Sequence, residues 1–158
     1  MLDLIIKNGK CYIDGKLKEV DVSIKDKKIH QIGQISEEAK ETIDASDHTV
    51  LPGCIDTQTH FREPGSTDTE DLHSGSRAAI AGGITSVFEM PNTNPPTSNK
   101  KEFQRKLDLA KNRMYCNYAF YFGATADNAD DLASLKDLEG CCGIKLFAGS
   151  STGNLLVA

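Results

Sequence analysis

Residues 51–65 read LPGCIDTQTHFREPG, and the fold is decided there. Pro52-Gly53 punctuates the chain, and the pattern differs on its two sides. Cys54 to His60 is the first strand of an alternating series. The spacing predicts a helix from about Asp68 to Ala81, with Thr67 and Glu70 as a capping box and Gly82-Gly83 as its stop. Ile84 to Met90 is the second strand. Asn99 with Glu102 caps a second helix, in which Phe103, Leu107, Ala110 and Met114 fall at helical spacing. Tyr118 to Phe122 is the third strand, a short helix runs from about Ala129 to Leu138, and Cys142 to Phe147 is the fourth strand. Strand–helix–strand units of about thirty residues imply a parallel sheet. Such a sheet is either open or closed, and a complete eight-unit barrel takes roughly 250 residues. Four strands therefore make a compact open sheet or about half a barrel, and periodicity alone does not choose between them.

Upstream of Leu51 the chain reads as short strands. Asn8-Gly9 and Asp14-Gly15 are hairpin-turn signals, and Val20, Val22 and Ile24 alternate with Asp21, Ser23 and Lys25. Lys25 to Lys28 is a polar turn, Ile29 to Ile32 a further strand, and Glu37 to Glu41 a charged connector. Residues 1–51 thus form a small antiparallel β meander, short of large apolar side chains and in need of another surface to pack on.

Composition narrows the function classes. The 158 residues suffice for one domain with a core or two small ones. The net charge is −5 and no block of Lys and Arg stands out, which argues against a nucleic-acid or anionic-membrane surface. The N-terminal apolar run is broken by Asp3 and ends at Lys7, too short for a signal peptide or a membrane span. Five cysteines, two of them adjacent and none in C-x-x-C spacing, argue against a disulfide framework or a zinc knuckle. Reduced thiols in the cytosol is the simplest reading.

Strand side chains alternate faces, so Asp56, Gln58, His60 and Arg62 are expected on one face of the first strand. Four polar groups at the C-terminal end of a buried parallel strand look like a site wall; the alternative is an edge strand with a wet face. His60 alone is weak evidence for a metal, since zinc takes three or four ligands. His30 and His48 read as structural, and His73 as solvent-facing on the first helix. Arg62 could clamp a carboxylate through two hydrogen bonds, or pair with Glu63 or a helix acid. Asn92, in the proline-stiffened Met90–Pro96 loop, offers both a donor and an acceptor. Lys145 lies between apolar residues in the fourth strand and needs a partner, a chemical change or a route to the surface.

Together these motifs resemble the dihydroorotases, in the cyclic amidohydrolase group of the amidohydrolase superfamily. The resemblance is carried by residues 51–65, by Gly82-Gly83-Ile84-Thr85, by Met90-Pro91-Asn92-Thr93 and by residues 143–153, GIKLFAGSSTG. It implies an α/β fold: the N-terminal half of a TIM-type (β/α)8 metallo-hydrolase barrel at 52–158, preceded by a small β-sandwich portion at 1–51. It implies zinc, one or two ions in a complete enzyme. His60 matches a metal ligand of the family's His-x-His motif. Lys145 matches a lysine that bridges the metals once carboxylated, while Arg62 and Asn92 match residues that hold the carboxylate of dihydroorotate. The first His of the motif is Gln58 here, a poorer zinc ligand than imidazole. The family's remaining ligands and its proton-shuttling Asp are expected beyond residue 158.

The resemblance thus implies a cytoplasmic hydrolase that interconverts N-carbamoyl-L-aspartate and dihydroorotate in pyrimidine biosynthesis. Its partners would be a small substrate with a carboxylate and, for a truncated chain, a second chain supplying the rest of the barrel. The 158 residues alone are expected to be inactive and prone to associate. Two alternatives remain: a non-catalytic dihydroorotase-like remnant that binds a partner, and a hydantoinase- or allantoinase-type cyclic amidohydrolase. Arg-Glu-Pro-Gly and Met-Pro-Asn-Thr, read as carboxylate-holding segments, argue against the last.

Overall fold

The computed structural model describes residues 1–150 and 155–157. Contacts divide the chain into Met1–Pro52 and a second unit from Gly53 onward. The first unit holds β1 (Leu2–Lys7), β2 (Lys10–Ile13), β3 (Lys16–Glu19), β4 (Asp21–Lys25), β5 (Lys28–Gly33), β6 (Ala39–Asp44) and β7 (Thr49–Val50). They form two sheets, ordered β5-β4-β1-β6 and β3-β2-β7. Asp14 and Gly15, at φ 53° and 77°, turn β2 into β3; both residues are left-handed, as a two-residue hairpin turn requires.

Antiparallel pairing joins β1 to β4, β4 to β5 and β2 to β3. β6 and β7 add to β1 and β2 in parallel. Part of the expected connector at Glu37–Glu41 is therefore strand. Lys40 and Glu41 stay in water because β6 is a sheet edge, and Lys40 reaches Asp3 at 2.6 Å. Leu2, Ile5 and Ile35 are the buried centre of this unit.

The second unit runs β8 (Cys54–Thr59), α1 (Leu72–Ala81), β9 (Ile84–Glu89), α2 (Lys100–Ala110), β10 (Asn117–Gly123), a 3-10 helix (Ala129–Leu135) and β11 (Cys141–Lys145). Its four strands are parallel and ordered β11-β10-β9-β8, each beside its predecessor. An open doubly wound sheet reverses its winding so that helices cover both faces. These strands wind one way only. Leu72 of α1, Phe103 and Ala110 of α2 and Leu135 of the 3-10 helix share a single core with Val87, Phe120 and Phe122. One face is covered, and of the two arrangements open to the sequence the curled half-barrel is the one formed.

Local chemistry sets the element ends. α1 starts later than predicted because the capping box is Asp71 with Ser74: the Asp71 carboxylate accepts from the Ser74 N–H at 2.6 Å, and the Ser74 hydroxyl accepts from the Asp71 N–H at 3.1 Å. Thr67 and Glu70 do not form a box, since the N–H groups of Thr69 and Glu70 turn back to the Ser66 carbonyl. Asn99 caps α2 as expected, accepting from the Glu102 N–H at 2.9 Å. The expected helix to Leu138 is a 3-10 helix that stops at Leu135, and the fourth strand ends at Lys145, with Phe147 bridging to Leu156 instead. Gly53 is needed where it stands: a Cβ there would lie 2.1 Å from the Thr85 hydroxyl.

Candidate functional site

The loops that leave β8 and β9 meet at the C-terminal ends of those strands, where α/β sheets place ligands. Phe61, Arg62, Pro64 and Ser66 from the first loop, with Asn92, Thr93 and Asn94 from the second, line a cavity of about 220 Å³. Two contacts tie the loops together. The Asn94 N–H donates to the Pro64 carbonyl at 3.0 Å, and His60 Nδ1 lies 3.0 Å from Asn92 Oδ1. An amide oxygen only accepts, so Nδ1 carries the proton in this contact, and in the neutral ring Nε2 is then the acceptor nitrogen.

Each loop is anchored from below by a charged pair. In the first, Glu63 is buried and takes both arms of Arg113, at 2.8 and 3.0 Å, while its Oε2 also accepts from the Leu72 N–H at 2.9 Å. Glu63 thus fastens the loop to the first turn of α1 and to the turn after α2. The pairing of Arg62 with Glu63 that the sequence left open is not the one formed. In the second loop, fully buried Lys106 pairs with fully buried Glu89 and donates to the Met90 carbonyl at 3.2 Å and the Thr93 hydroxyl at 3.4 Å. Burial pushes the Glu89 carboxyl up to about 8, against the opposing pull of Lys106 and Arg62. It pushes the Lys106 amine down, against Glu89.

The far end of that loop rests on β10 and Asn128. Gly123 N–H donates to Thr97 O at 2.8 Å, and Asn128 Nδ2 reaches Ser98 O and Gly123 O at 2.8 and 2.9 Å. Glu63→Ala should remove a bidentate partner and a helix-start acceptor together. We expect a loss of about 2 kcal/mol in urea unfolding, because Arg113 is partly exposed and rehydrates while the buried Leu72 N–H does not.

The structure gathers some of the expected site residues and separates others. His60 and Asn92 touch, and Arg62 and Asn92 share the cavity. Gln58 is not with them. Asp56 registers with Val87 and Thr59 with Glu89, so three steps along β8 match two along β9. Such a mismatch marks a β-bulge or irregularity between Asp56 and Thr59. Gln58 is exposed, and its N–H bonds to Asp56 Oδ1 at 2.9 Å. Lys145, half-buried, lies over the Phe147 ring at 5.2 Å rather than in the cavity. Ser151 to Gly153, the end of the fourth motif, lie outside the described residues.

A zinc site does not fit the groups present. Among the described residues no three His, Cys, Asp or Glu side chains come together to hold a metal. One imidazole, a displaced amide and an amine are fewer and poorer donors than zinc takes, and no step is assigned to a metal.

Sequence reasoning missed Glu63, Glu89, Lys106, Arg113 and Asn128. Lys106 had a signal, since it falls on the same helix stripe as Phe103 and Ala110, where an apolar residue belongs. Glu63 and Arg113 had none, being fifty positions apart.

Comparison with known proteins agrees with this architecture. The amidohydrolase family pattern matches residues 49–143. An allantoinase of Escherichia coli O1:K1 is 40% identical over 149 residues, which cover 94% of this chain and 33% of that protein. The L-hydantoinase (dihydropyrimidinase) of Arthrobacter aurescens superposes with a TM-score of 0.89 at 30% identity, over 100% of this chain and 36% of that one. The dihydropyrimidinase of Brevibacillus agri gives 0.82 at 26% identity, over 100% and 35%. The chain spans about a third of the length of these relatives.

Proposed function

The chain belongs to the amidohydrolase family, and from that premise we propose that it is the N-terminal part of a cyclic amidohydrolase acting on a ureide ring of the allantoin or hydantoin kind. The observation that carries this reading is that Arg62 and Asn92 share one cavity at the strand C-termini while Asn92 also holds His60 at 3.0 Å. In it, Arg62 and Asn92 hold the polar edge of the ring through donors and an acceptor. His60, oriented through Nδ1, turns an acceptor nitrogen to the bound ring.

The allantoinase and hydantoinase relatives favour this reading over the dihydroorotase one reached from motifs. The loop geometry bears on the same choice. Arg-Glu-Pro-Gly and Met-Pro-Asn-Thr argue for a substrate carboxylate only if their residues face the substrate. Glu63 is turned to Arg113 and Leu72, and the Thr93 hydroxyl donates to the Pro95 carbonyl at 3.0 Å. Glu63 thus builds its loop, so within these segments Arg62 and Asn92 alone bear on the choice of substrate. A dihydroorotase remains the second reading because Arg62 reaches the cavity with a guanidinium suited to a carboxylate.

Titration of the 15N-labelled chain with allantoin, hydantoin and dihydroorotate separates the readings. We expect allantoin or hydantoin to shift the Asn92 amide and His60 ring signals, with Asn92→Ala abolishing the response. A response to dihydroorotate alone, lost in Arg62→Met, would move the assignment to the carboxylate substrate. No response to any of the three at millimolar concentration would overturn the site.

A further inference from the structure

The buried Lys106–Glu89 pair lies beneath the cavity and belongs to no motif. A lysine and a glutamate that are both fully buried sit at the join of three elements: the end of β9, the middle of α2 and the loop that carries Asn92. Packing alone does not call for charge here. A methionine would fill the space against Phe120, over whose ring the ammonium lies at 5.3 Å, and apolar replacements of buried pairs are commonly tolerated. The ammonium does something a methionine cannot. It donates to the carbonyl of Met90 and to the hydroxyl of Thr93, which flank Pro91 and Asn92.

These bonds join others that fix the same turn. Thr93 and Thr97 N–H groups both return to the Pro91 carbonyl at 2.9 Å, and Thr93 and Thr97 hydroxyls lie 3.4 Å apart. The Lys106 ammonium is the member of this set that comes from a helix. Among the described residues no hydrogen bond from any other group reaches the Glu89 carboxylate; that ammonium is its ion-pair partner, and Arg62 adds a weaker attraction.

We infer that Lys106, held in place by Glu89, is a positioning residue: it sets the Met90–Thr97 turn so that the Asn92 amide oxygen meets His60 Nδ1. The inference rests on reading His60 and Asn92 as site residues, and it requires no turnover. Glu89 points the ammonium, the ammonium clamps the carbonyl and hydroxyl on either side of Asn92, and Asn92 selects the His60 tautomer that leaves Nε2 as acceptor.

The tautomer is the readout. In the 15N-labelled 158-residue chain, His60 should show a protonated Nδ1 and an unprotonated Nε2 in its neutral form, with the signal assigned through His60→Gln. Asn92→Ala should lose that pattern. Lys106→Met should lose it too, while the amide spectrum remains that of a folded chain. Glu89→Gln/Lys106→Met keeps the shape without a lone buried charge, and should lose the pattern as well even if Lys106→Met fails to fold. Ile5→Val, destabilised in the separate buried cluster of the first unit, should retain it. A folded Lys106 variant that keeps the wild-type pattern while Asn92→Ala loses it would overturn the positioning role alone. A wild-type pattern in Asn92→Ala would overturn the His60–Asn92 contact and the inference with it.

Discussion

Lys106→Met should lose about 3–5 kcal/mol of stability at pH 7, and Glu89→Gln a comparable amount, because each leaves a single fully buried ionisable group without its partner. The double variant should lose less than either. The two single variants should also respond to pH in opposite senses. In Lys106→Met the carboxyl of Glu89 is raised by burial, without the opposing ammonium, far above its ordinary 4.5. Between 4.5 and the raised value the folded chain holds a proton that the unfolded chain has released. Stability then falls with rising pH, at about 1.4 kcal/mol per unit for one proton.

In Glu89→Gln the Lys106 amine is lowered below its ordinary 10.5. From the lowered value up to 10.5 the unfolded chain holds the extra proton, and stability rises with pH. In the wild type these two effects oppose each other, because each group pulls its partner back toward its ordinary value. Urea unfolding at pH 5.5, 7 and 8.5 tests this, followed by tyrosine fluorescence in a chain with four Tyr and no Trp. Equal slopes in the two single variants would sink the account.

Phe103→Ala should lose about 3–5 kcal/mol, the cost of emptying a closely packed aromatic site. Phe103 is 1% exposed and stands against the rings of Phe120 and Phe122, 6.4 and 6.2 Å away between centroids. Those rings belong to β10, so the cavity would open between α2 and the sheet, where neither layer can close it alone. The loss should appear as a lower urea midpoint with an unchanged slope. Ile80→Ala, on the same kind of element but 42% exposed, should change stability by less than about 0.5 kcal/mol. Similar midpoints for the two variants would refute this placement of the core.

The repeated strand–helix order was legible because it depends on local signals. Gly82-Gly83 stops α1, Asn99 starts α2, and apolar spacing marks the helices between the strands. Periodicity did not choose between open sheet and half-barrel, because winding direction is set by which strand edges meet; the family resemblance did, and the half-barrel it implied is the one formed. The capping box was misplaced by one helical turn: Thr67–Glu70 and Asp71–Ser74 have the same spacing, and only the bonds of Ser66 to Thr69 and Glu70 decide between them. Of the residues singled out in the sequence, His60 and Asn92 touch, and Arg62 and Asn92 line one cavity. The register shift between Asp56 and Thr59 depends on the neighbouring strand, which a period-two rule does not see. The anchors Glu63–Arg113 and Glu89–Lys106 join residues far apart in the chain, and pair only once the helices have docked.

The unidirectional order of β8 to β11 also bears on how the polypeptide acquires its structure. Every strand pairing in the second unit joins a strand to the one made just before it. Each new strand therefore finds its partner already in place, and loop closure at every step spans a single helix connection. The first unit differs. β1 waits for β6 and β2 for β7, so neither sheet is complete before residues 39–50 exist. During synthesis the earlier-made unit thus depends on a distant return of the chain. The later-made one can add a strand with each unit that emerges, in the order in which it is translated.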